Sequence, residues 1–382
     1  MNWVRRSAIN GALAVCSFFV ALALTELIVR IVAPQPTGLS HQDKFGLALH
    51  YPGITRYLPQ YGHTVSFNSA GMRDREHAIA KPAGTYRVLL LGDSFMEAFQ
   101  VPFQASMPSL LEKSLAQALG KTVEVINAGV SGWGTDDELR YLTAYGLQYQ
   151  PDLVVIAMTL HNDISDNLRQ DWHRLNSDTL IEVPHTATPF LAYKLVELKA
   201  YVATRLQAYQ LWRRVRHGRE IKQVGQRLNS HVAQLFEEPR PDAIRDGEAL
   251  TRLLLQRIES VSAAAGAQTL LVLLPIRYQL SDSLFSSFVK SSGIPPGLMH
   301  MDEPQAALRG IADSLHLPVI DLLPGFQRWA SDSSASLYLE WDGHWTETGH
   351  RLANELVTAG IVQYLDTADS GTGTHSSDQK AQ

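Results

Sequence analysis

Tyr86-Arg87-Val88-Leu89-Leu90-Leu91-Gly92-Asp93-Ser94-Phe95 is the stretch on which the reading of the fold turns. Four consecutive aliphatic residues read as a short, fully buried strand of the kind found inside a parallel sheet. The run stops at Gly92-Asp93-Ser94, and Leu110, Leu111 and Leu115 follow at helical spacing. A strand that ends in a tight turn and feeds a helix lifts the turn residue to the carboxyl edge of the sheet, where open α/β folds bind ligands. Ser94 at that corner would have its own N–H near a helix N-terminus, where developing negative charge is favoured. Gly-Asp-Ser alone is a short motif, so its meaning depends on the partners the chain supplies.

Outward from this stretch, strand and helix patterns alternate. Val123-Glu124-Val125-Ile126 reads as a second strand ending at Asn127-Ala128-Gly129, and a helical stretch runs from about Thr135 to Tyr149. Leu153 to Met158 is a third strand ending near Leu160-His161-Asn162-Asp163, Thr269 to Leu274 a fourth that stops at Pro275, and Val319-Ile320-Asp321 a short fifth. Strands separated by helices imply an α/β fold with a central parallel sheet covered on both faces. The domain is expected over residues 86–365, with a helical insertion at about 165–248. Within the insertion, Tyr193 to Leu235 reads as helical and carries Arg205, Arg213, Arg214, Arg216, Arg219 and Lys222 beside Tyr201, Tyr209 and Trp212. That pattern fits a solvated basic face on a cap helix, or a lid or helix lying against acidic lipid headgroups. Residues 34–85, with five prolines, read as a linker and a small pre-domain in which Val65 to Gly71 forms a hairpin edge. Residues 366–382, rich in Ser, Gly and Thr, are expected to be disordered.

The N-terminus, residues 1–33, has a separate character. Arg5 and Arg6 precede Ser7 to Thr25, nineteen uncharged and largely apolar residues; Glu26 and Arg30 interrupt the run before it ends at Pro34. At ~1.5 Å per residue such a helix approaches the ~30 Å of a bilayer's hydrocarbon core. The expectation is a transmembrane anchor with Arg5 and Arg6 cytoplasmic and the rest extracytoplasmic, most simply periplasmic. A cleaved signal peptide with Ala21-Leu22-Ala23 as its processing site is the competing reading. The net charge of −5 and the absence of a long basic run give no general attraction to nucleic acid, and the single Cys16 excludes an intramolecular disulfide or a cysteine-based metal site.

Acyl transfer from an ester needs a nucleophile, a base, a group that orients the base, and donors for the oxyanion. Ser94 is the candidate nucleophile. Among fourteen histidines, His344 stands two residues after Asp342, so on an extended loop both side chains project to one side. Asp342 can then accept from His344 Nδ1 and leave Nε2 free for the serine proton. His350 falls in the first turn of a following helix. Gly129 at the end of the second strand offers a backbone N–H, and Asn162 after the third offers a side-chain amide, both on the edge that carries Ser94. His161, Asp163, Asp166 and His173 lack metal-ligand spacing, and no phosphate-binding glycine loop is present.

These blocks, in this order, resemble the SGNH (GDSL-type) hydrolase family: Gly92-Asp93-Ser94, Gly129, Asn162-Asp163 and Asp342-Gly343-His344. The resemblance implies a three-layer flavodoxin-like fold and a cofactor-free enzyme acting on esters. It assigns Ser94 as nucleophile, Gly129 and Asn162 with the Ser94 N–H as oxyanion donors, Asp342 as orienter and His344 as base. Many members have Gly-x-Asn-Asp where this chain has Leu160-His161-Asn162-Asp163, and D-x-x-H where it has Asp342-Gly343-His344-Trp345. The shorter D-x-H-W form resembles the polysaccharide O-acetyltransferase branch. The expected function is an extracytoplasmic serine esterase acting on a lipid, acylated glycan or small ester. Acyl transfer to an envelope polysaccharide is the alternative, and a non-catalytic scaffold is a third.

Overall fold

The computed structural model describes residues 2–33, 39–212, 215–216 and 232–372. The chain divides into two compact units, residues 1–45 with 187–227, and residues 46–186 with 228–382.

The larger unit is built on five parallel strands: β1 (Tyr86–Gly92), β2 (Val123–Gly129), β3 (Leu153–Thr159), β4 (Gln268–Leu274) and β5 (Val319–Asp321), in the order β5-β4-β3-β1-β2. All five lie where the apolar runs predict them. The strands are apolar on both faces because helices cover both. Val88, Leu90, Val125, Val155, Leu270 and Val272 form one core with Leu111 and Leu115 of the helix Met107–Leu119, Phe326, and Val357 and Ile361 of the helix Glu347–Thr372. Thr135–Ala144 and Asp242–Ala264 pack on each other and approach the sheet through Leu139, Leu142, Leu250 and Leu254, all buried.

From β1 the chain steps to β2 on one side and then returns to β3 on the other. That reversal places the end of β1 at the switch point of the sheet, where a crevice opens. Gly92 and Gly129 face each other across β1 and β2. Both are seats for the short helix Ser94–Glu97 that follows β1. A Cβ on Gly92 would come within 2.5 Å of Met96 Cγ, and one on Gly129 within 2.5 Å of Met96 Cβ and 2.6 Å of the Glu97 nitrogen.

Several local readings differ. The pre-domain hairpin pairs Thr55–Leu58 with His63–Ser66, earlier than Val65 to Gly71, because the Asn68 side chain draws the amides of Ala70 and Met72 into a turn. The helix from Thr135 ends at Ala144 and gives way to a 3₁₀ turn at Gly146–Tyr149. The C-terminal helix continues to Thr372, since an established helix adds residues at little cost, and only residues 373–382 of the expected tail lie outside the described residues. The insertion contains an antiparallel hairpin, His173–Asn176 with Thr179–Glu182, that the sequence reading did not anticipate.

In the smaller unit, a helix spans Asn2–Val32 and is long and apolar enough to cross a membrane. The insertion helix there begins at Phe190 and runs to Arg205. Arg213, Arg214, Arg219 and Lys222 of its basic run lie outside the described residues. Glu26 and Arg30 are not stray charges: Glu26 accepts from the amides of Gln207 and Ala208, each at 2.9 Å, and Arg30 donates to the Arg205 carbonyl at 3.0 Å.

Replacing Gly129 by alanine forces a methyl group against the backbone of the Ser94–Glu97 helix, an overpacking that costs about 1–3 kcal/mol. The expected result is a lower urea midpoint at unchanged m-value; a Gly129→Ala protein as stable as the parent contradicts the seating.

Candidate active site

Ser94 is the first residue of its helix, lifted clear of the sheet by the turn through Asp93. Asp93 caps the helix by accepting from Phe95 N at 2.9 Å, and Thr159 at the end of β3 donates its hydroxyl to the same oxygen at 2.9 Å. This locks the nucleophile turn to the neighbouring strand. Burial pushes the Asp93 carboxyl up, against the pull of those two hydrogen bonds.

His344 arrives from the other end of the chain. Its Nε2 lies 2.7 Å from Ser94 Oγ, and its Nδ1 meets Asp342 Oδ1. With Nδ1–H donated to the carboxylate, Nε2 is left to accept the serine proton. The loop is not extended. Gly343 has φ +86°, and Leu339 closes the turn by accepting from Gly343 N at 2.7 Å and donating to the His344 carbonyl at 2.8 Å. A residue in that left-handed conformation is normally glycine. Trp345 fixes the loop in place. It is fully buried, edge-on to Phe95 at 5.0 Å and packed on Phe326, so the histidine loop and the serine helix share one aromatic wedge.

Two residues that the sequence reading did not single out complete the acid. Tyr61, in the turn of the pre-domain hairpin, donates its hydroxyl to Asp342 Oδ2 at 2.7 Å, and Gln100 Nε2 approaches Oδ1 at 3.3 Å. Burial acts to raise the Asp342 carboxyl, but the hydrogen bonds from His344 and Tyr61 outweigh it and hold it below the usual carboxylate range. Tyr57, Pro59 and Gly62 around Tyr61 signal a turn, yet nothing local states which carboxylate its hydroxyl reaches.

His350 lies in the first turn of the helix Glu347–Thr372, as expected, and is buried. Its Nδ1 accepts from Met107 N at 3.2 Å, and burial, reinforced by Arg73 and His344, pushes it down to about 3. It is a neutral structural acceptor.

The oxyanion donors need a correction. The Gly129 N–H is donated to Asn127 Oδ1 at 3.0 Å, and its Cα lies under Met96, so it does not present a free donor. The loop beyond it does. Gly132 has φ +80° with no atom within 4 Å of where a Cβ would stand, and among the described residues its N–H has no hydrogen-bond partner. The loop is held from both sides. Glu97, buried in the serine helix, accepts from Ser131 N at 3.2 Å and Ser131 Oγ at 2.5 Å, while Arg169 donates to the Gly132 carbonyl at 2.9 Å. His50 Nε2 lies 2.5 Å from Glu97 Oε1. Asn162 stands at the end of β3 as expected. Its Nδ2 donates one hydrogen to Asp166 Oδ2 at 2.7 Å, which leaves the second for a ligand.

A serine hydroxyl bonded to a histidine that is oriented by a carboxylate, at the carboxyl edge of a parallel sheet, defines a serine-nucleophile site. Residues 90–352 match the GDSL-like Lipase/Acylhydrolase family, and the chain belongs to that family. An arylesterase of Vibrio mimicus is 40% identical over 72 residues, which are 19% of this chain and 36% of that relative, so the chain spans about a third of its length. Among solved structures, the esterase EstA from Pseudoalteromonas sp. is 15% identical over 73% of this chain and 98% of its own, with a TM-score of 0.38. The acetyl xylan esterase AlAXEase is 14% identical over 72% and 99%, with a TM-score of 0.39.

Tyr61→Phe removes a hydrogen bond to a charged group, worth about 1.5–3 kcal/mol, and lowers kcat on a p-nitrophenyl ester by roughly tenfold or more. Because Tyr61 helps hold Asp342 down, its loss raises that carboxyl. The stability that Asp342 contributes is present above its unfolded value and lost as pH falls through its folded value, so in Tyr61→Phe the acid loss of activity begins at higher pH. A pH–rate profile that superimposes on the parent's refutes the role given to Tyr61.

Proposed function

We propose that this protein is a serine esterase whose catalytic unit works outside the cytoplasm on a membrane tether. The 2.7 Å contact between Ser94 Oγ and His344 Nε2, backed by Asp342, carries the catalytic reading. Ser94 Oγ attacks the ester carbonyl carbon as His344 Nε2 takes the hydroxyl proton. The negative charge that develops on the carbonyl oxygen is met by the N–H groups of Ser94 and Gly132 and by Asn162 Nδ2. Collapse breaks the bond to the alcohol, which leaves with the proton from His344. Water, deprotonated by the same nitrogen, then attacks the acyl-serine and releases the acid. Asp342 stabilises the imidazolium in both halves.

Hydrolysis, rather than transfer to a polysaccharide hydroxyl, is the reading we adopt. The D-x-H-W form leaves hydrolysis and transfer both open, and Trp345 is buried in the aromatic wedge, where it addresses no acceptor. The intact serine–histidine–aspartate contacts weigh against a scaffold.

The tether rests on the helix Asn2–Val32. Phe18, Phe19, Val20, Leu24, Leu27, Ile28 and Ile31 are exposed around its circumference, which suits a lipid environment. Arg5 and Arg6 at its start set the orientation.

Ser94→Ala is expected to abolish p-nitrophenyl acetate turnover and labelling by a fluorophosphonate, at an unchanged far-ultraviolet circular dichroism spectrum; retained turnover refutes the mechanism. Asn162→Ala should lower kcat by about 10²–10³, the usual cost of one oxyanion donor. The full chain should stay with membranes through alkaline carbonate extraction, and release as a shortened soluble form would establish a cleaved signal instead.

A further inference from the structure

Arg169 follows the short helix Asp163–Asn167 and belongs to neither the serine turn nor the histidine loop. Its guanidinium nevertheless touches the supports of both donors that the esterase reading adds to the Ser94 amide. On one side, Nη2 donates to the Gly132 carbonyl at 2.9 Å and to Asp137 Oδ2 at 2.8 Å. The same Asp137 oxygen accepts from Gly134 N at 3.2 Å, so one ion pair grips the loop at Gly132 and again at Gly134. On the other side, Nη1 donates to Asp166 Oδ1 at 3.4 Å, and Asp166 Oδ2 accepts from Asn162 Nδ2 at 2.7 Å. The two oxyanion donors come from the ends of different strands, and this guanidinium meets the support of each.

We propose that Arg169 is a positioning residue that couples the Gly132 and Asn162 donors into one oxyanion site, each aimed through its own arm of the guanidinium. The proposal deepens the esterase reading and rests on it. Glycine has the widest choice of backbone angles, so the Gly132 amide stays aimed only while the residues flanking its peptide are tied. Glu97 ties Ser131, and Arg169 ties the Gly132 carbonyl. The Asn162 amide faces a different hazard, since it can turn over. A carboxylate only accepts, so an ionised Asp166 keeps Nδ2 rather than Oδ1 toward itself and leaves the second N–H pointing away. Burial pushes the Asp166 carboxyl up, against the pull of Asn162 and of the Arg169 charge. Without Arg169 that pull weakens, and a carboxyl that takes a proton can donate to Oδ1 and let the amide turn. No bond to Arg169 forms or breaks in the reaction. Negative charge gathers on the ester carbonyl oxygen as Ser94 Oγ adds to its carbon, and donors already aligned meet it without reorganising. The Arg169 side chain is 42% exposed, so its removal opens no cavity in the core.

The test uses the full chain in detergent, p-nitrophenyl acetate as substrate, and phenylboronic acid, whose tetrahedral adduct on Ser94 mimics the oxyanion intermediate. Arg169→Ala is expected to lower kcat by about tenfold or more with KM within about twofold, and to weaken phenylboronic acid by a similar factor. Because Arg169 acts through the donors, the same change made in Asn162→Ala should cost at least about threefold less than in the parent. Arg169→Lys keeps the charge on a single ammonium, which cannot hold both arms, and should recover less than about a third of the lost kcat. Equal losses in the two backgrounds, a loss carried by KM, or full recovery in Arg169→Lys overturns the coupling. Should Arg169→Ala fail to give the parent's far-ultraviolet circular dichroism spectrum, Arg169→Lys takes its place in the same cycle with Asn162→Ala. The two readings fail separately: ester turnover by the parent that Arg169→Ala leaves unchanged removes only the coupling, whereas no ester turnover by the parent removes the esterase reading.

Discussion

The close approach of the Ser94–Glu97 helix to the paired glycines Gly92 and Gly129 is the constraint on which the rest of the site depends. With hydrogen in place of a side chain at both positions, the helix settles directly onto the ends of β1 and β2. Everything else is measured from that seat. Ser94 opens the helix at the sheet edge, Phe95 turns inward to meet Trp345, and Glu97 reaches the loop after β2. A helix displaced by a methyl group would separate the nucleophile from His344 and also move the loop that carries Gly132. One contact thus couples the packing of the sheet to the geometry of the chemistry.

Segments from distant parts of the chain converge on this seat because polar groups buried there need partners. Asp93 takes Thr159 from β3, Glu97 takes Ser131 and lies against His50, and Asp342 takes Tyr61 from the hairpin at Thr55–Ser66. The pre-domain is therefore part of the catalytic unit in a physical sense. Its tyrosine stabilises the charged form of Asp342, which meets His344 Nδ1. Arg73 does comparable work on the backbone. It donates to the carbonyls of Glu97, Ala98 and Val101, and burial brings its guanidinium down to about 10. These interactions keep the end of the serine helix in place as the chain leaves it.

The fold was legible in the sequence because the central strands are buried on both faces, and such strands leave an unbroken aliphatic run. Leu89 to Leu91, Val154 to Ile156 and Leu270 to Leu273 could be read without any knowledge of what packs on them. The hairpin at His173–Glu182 was not legible, since its strands are short and half exposed and their residues carry no alternation strong enough to mark them. Gly129 shows a different limit. A glycine at a strand end is equally compatible with a bare amide for a ligand and with a close backbone approach, and only the position of Met96 decides between them.

By itself, the sequence determined the parallel sheet and the chain order of its elements, and it put forward Ser94, Asn162, Asp342 and His344 as the candidates for chemistry at its edge. Those are properties of local pattern: runs of aliphatic residues, turns that end them, and residue types suited to nucleophilic attack. The tertiary structure alone decided that Gly129 is a seat while the amide of Gly132 is left open, that Trp345 is a wedge, and that Tyr61 completes the acid. Each of those depends on which distant atoms come within hydrogen-bonding or van der Waals range, and no local pattern encodes such distances. The same holds for Trp341. In the sequence it is one tryptophan of seven; in the fold it is an open aromatic face stacked on the residue that holds Asp342.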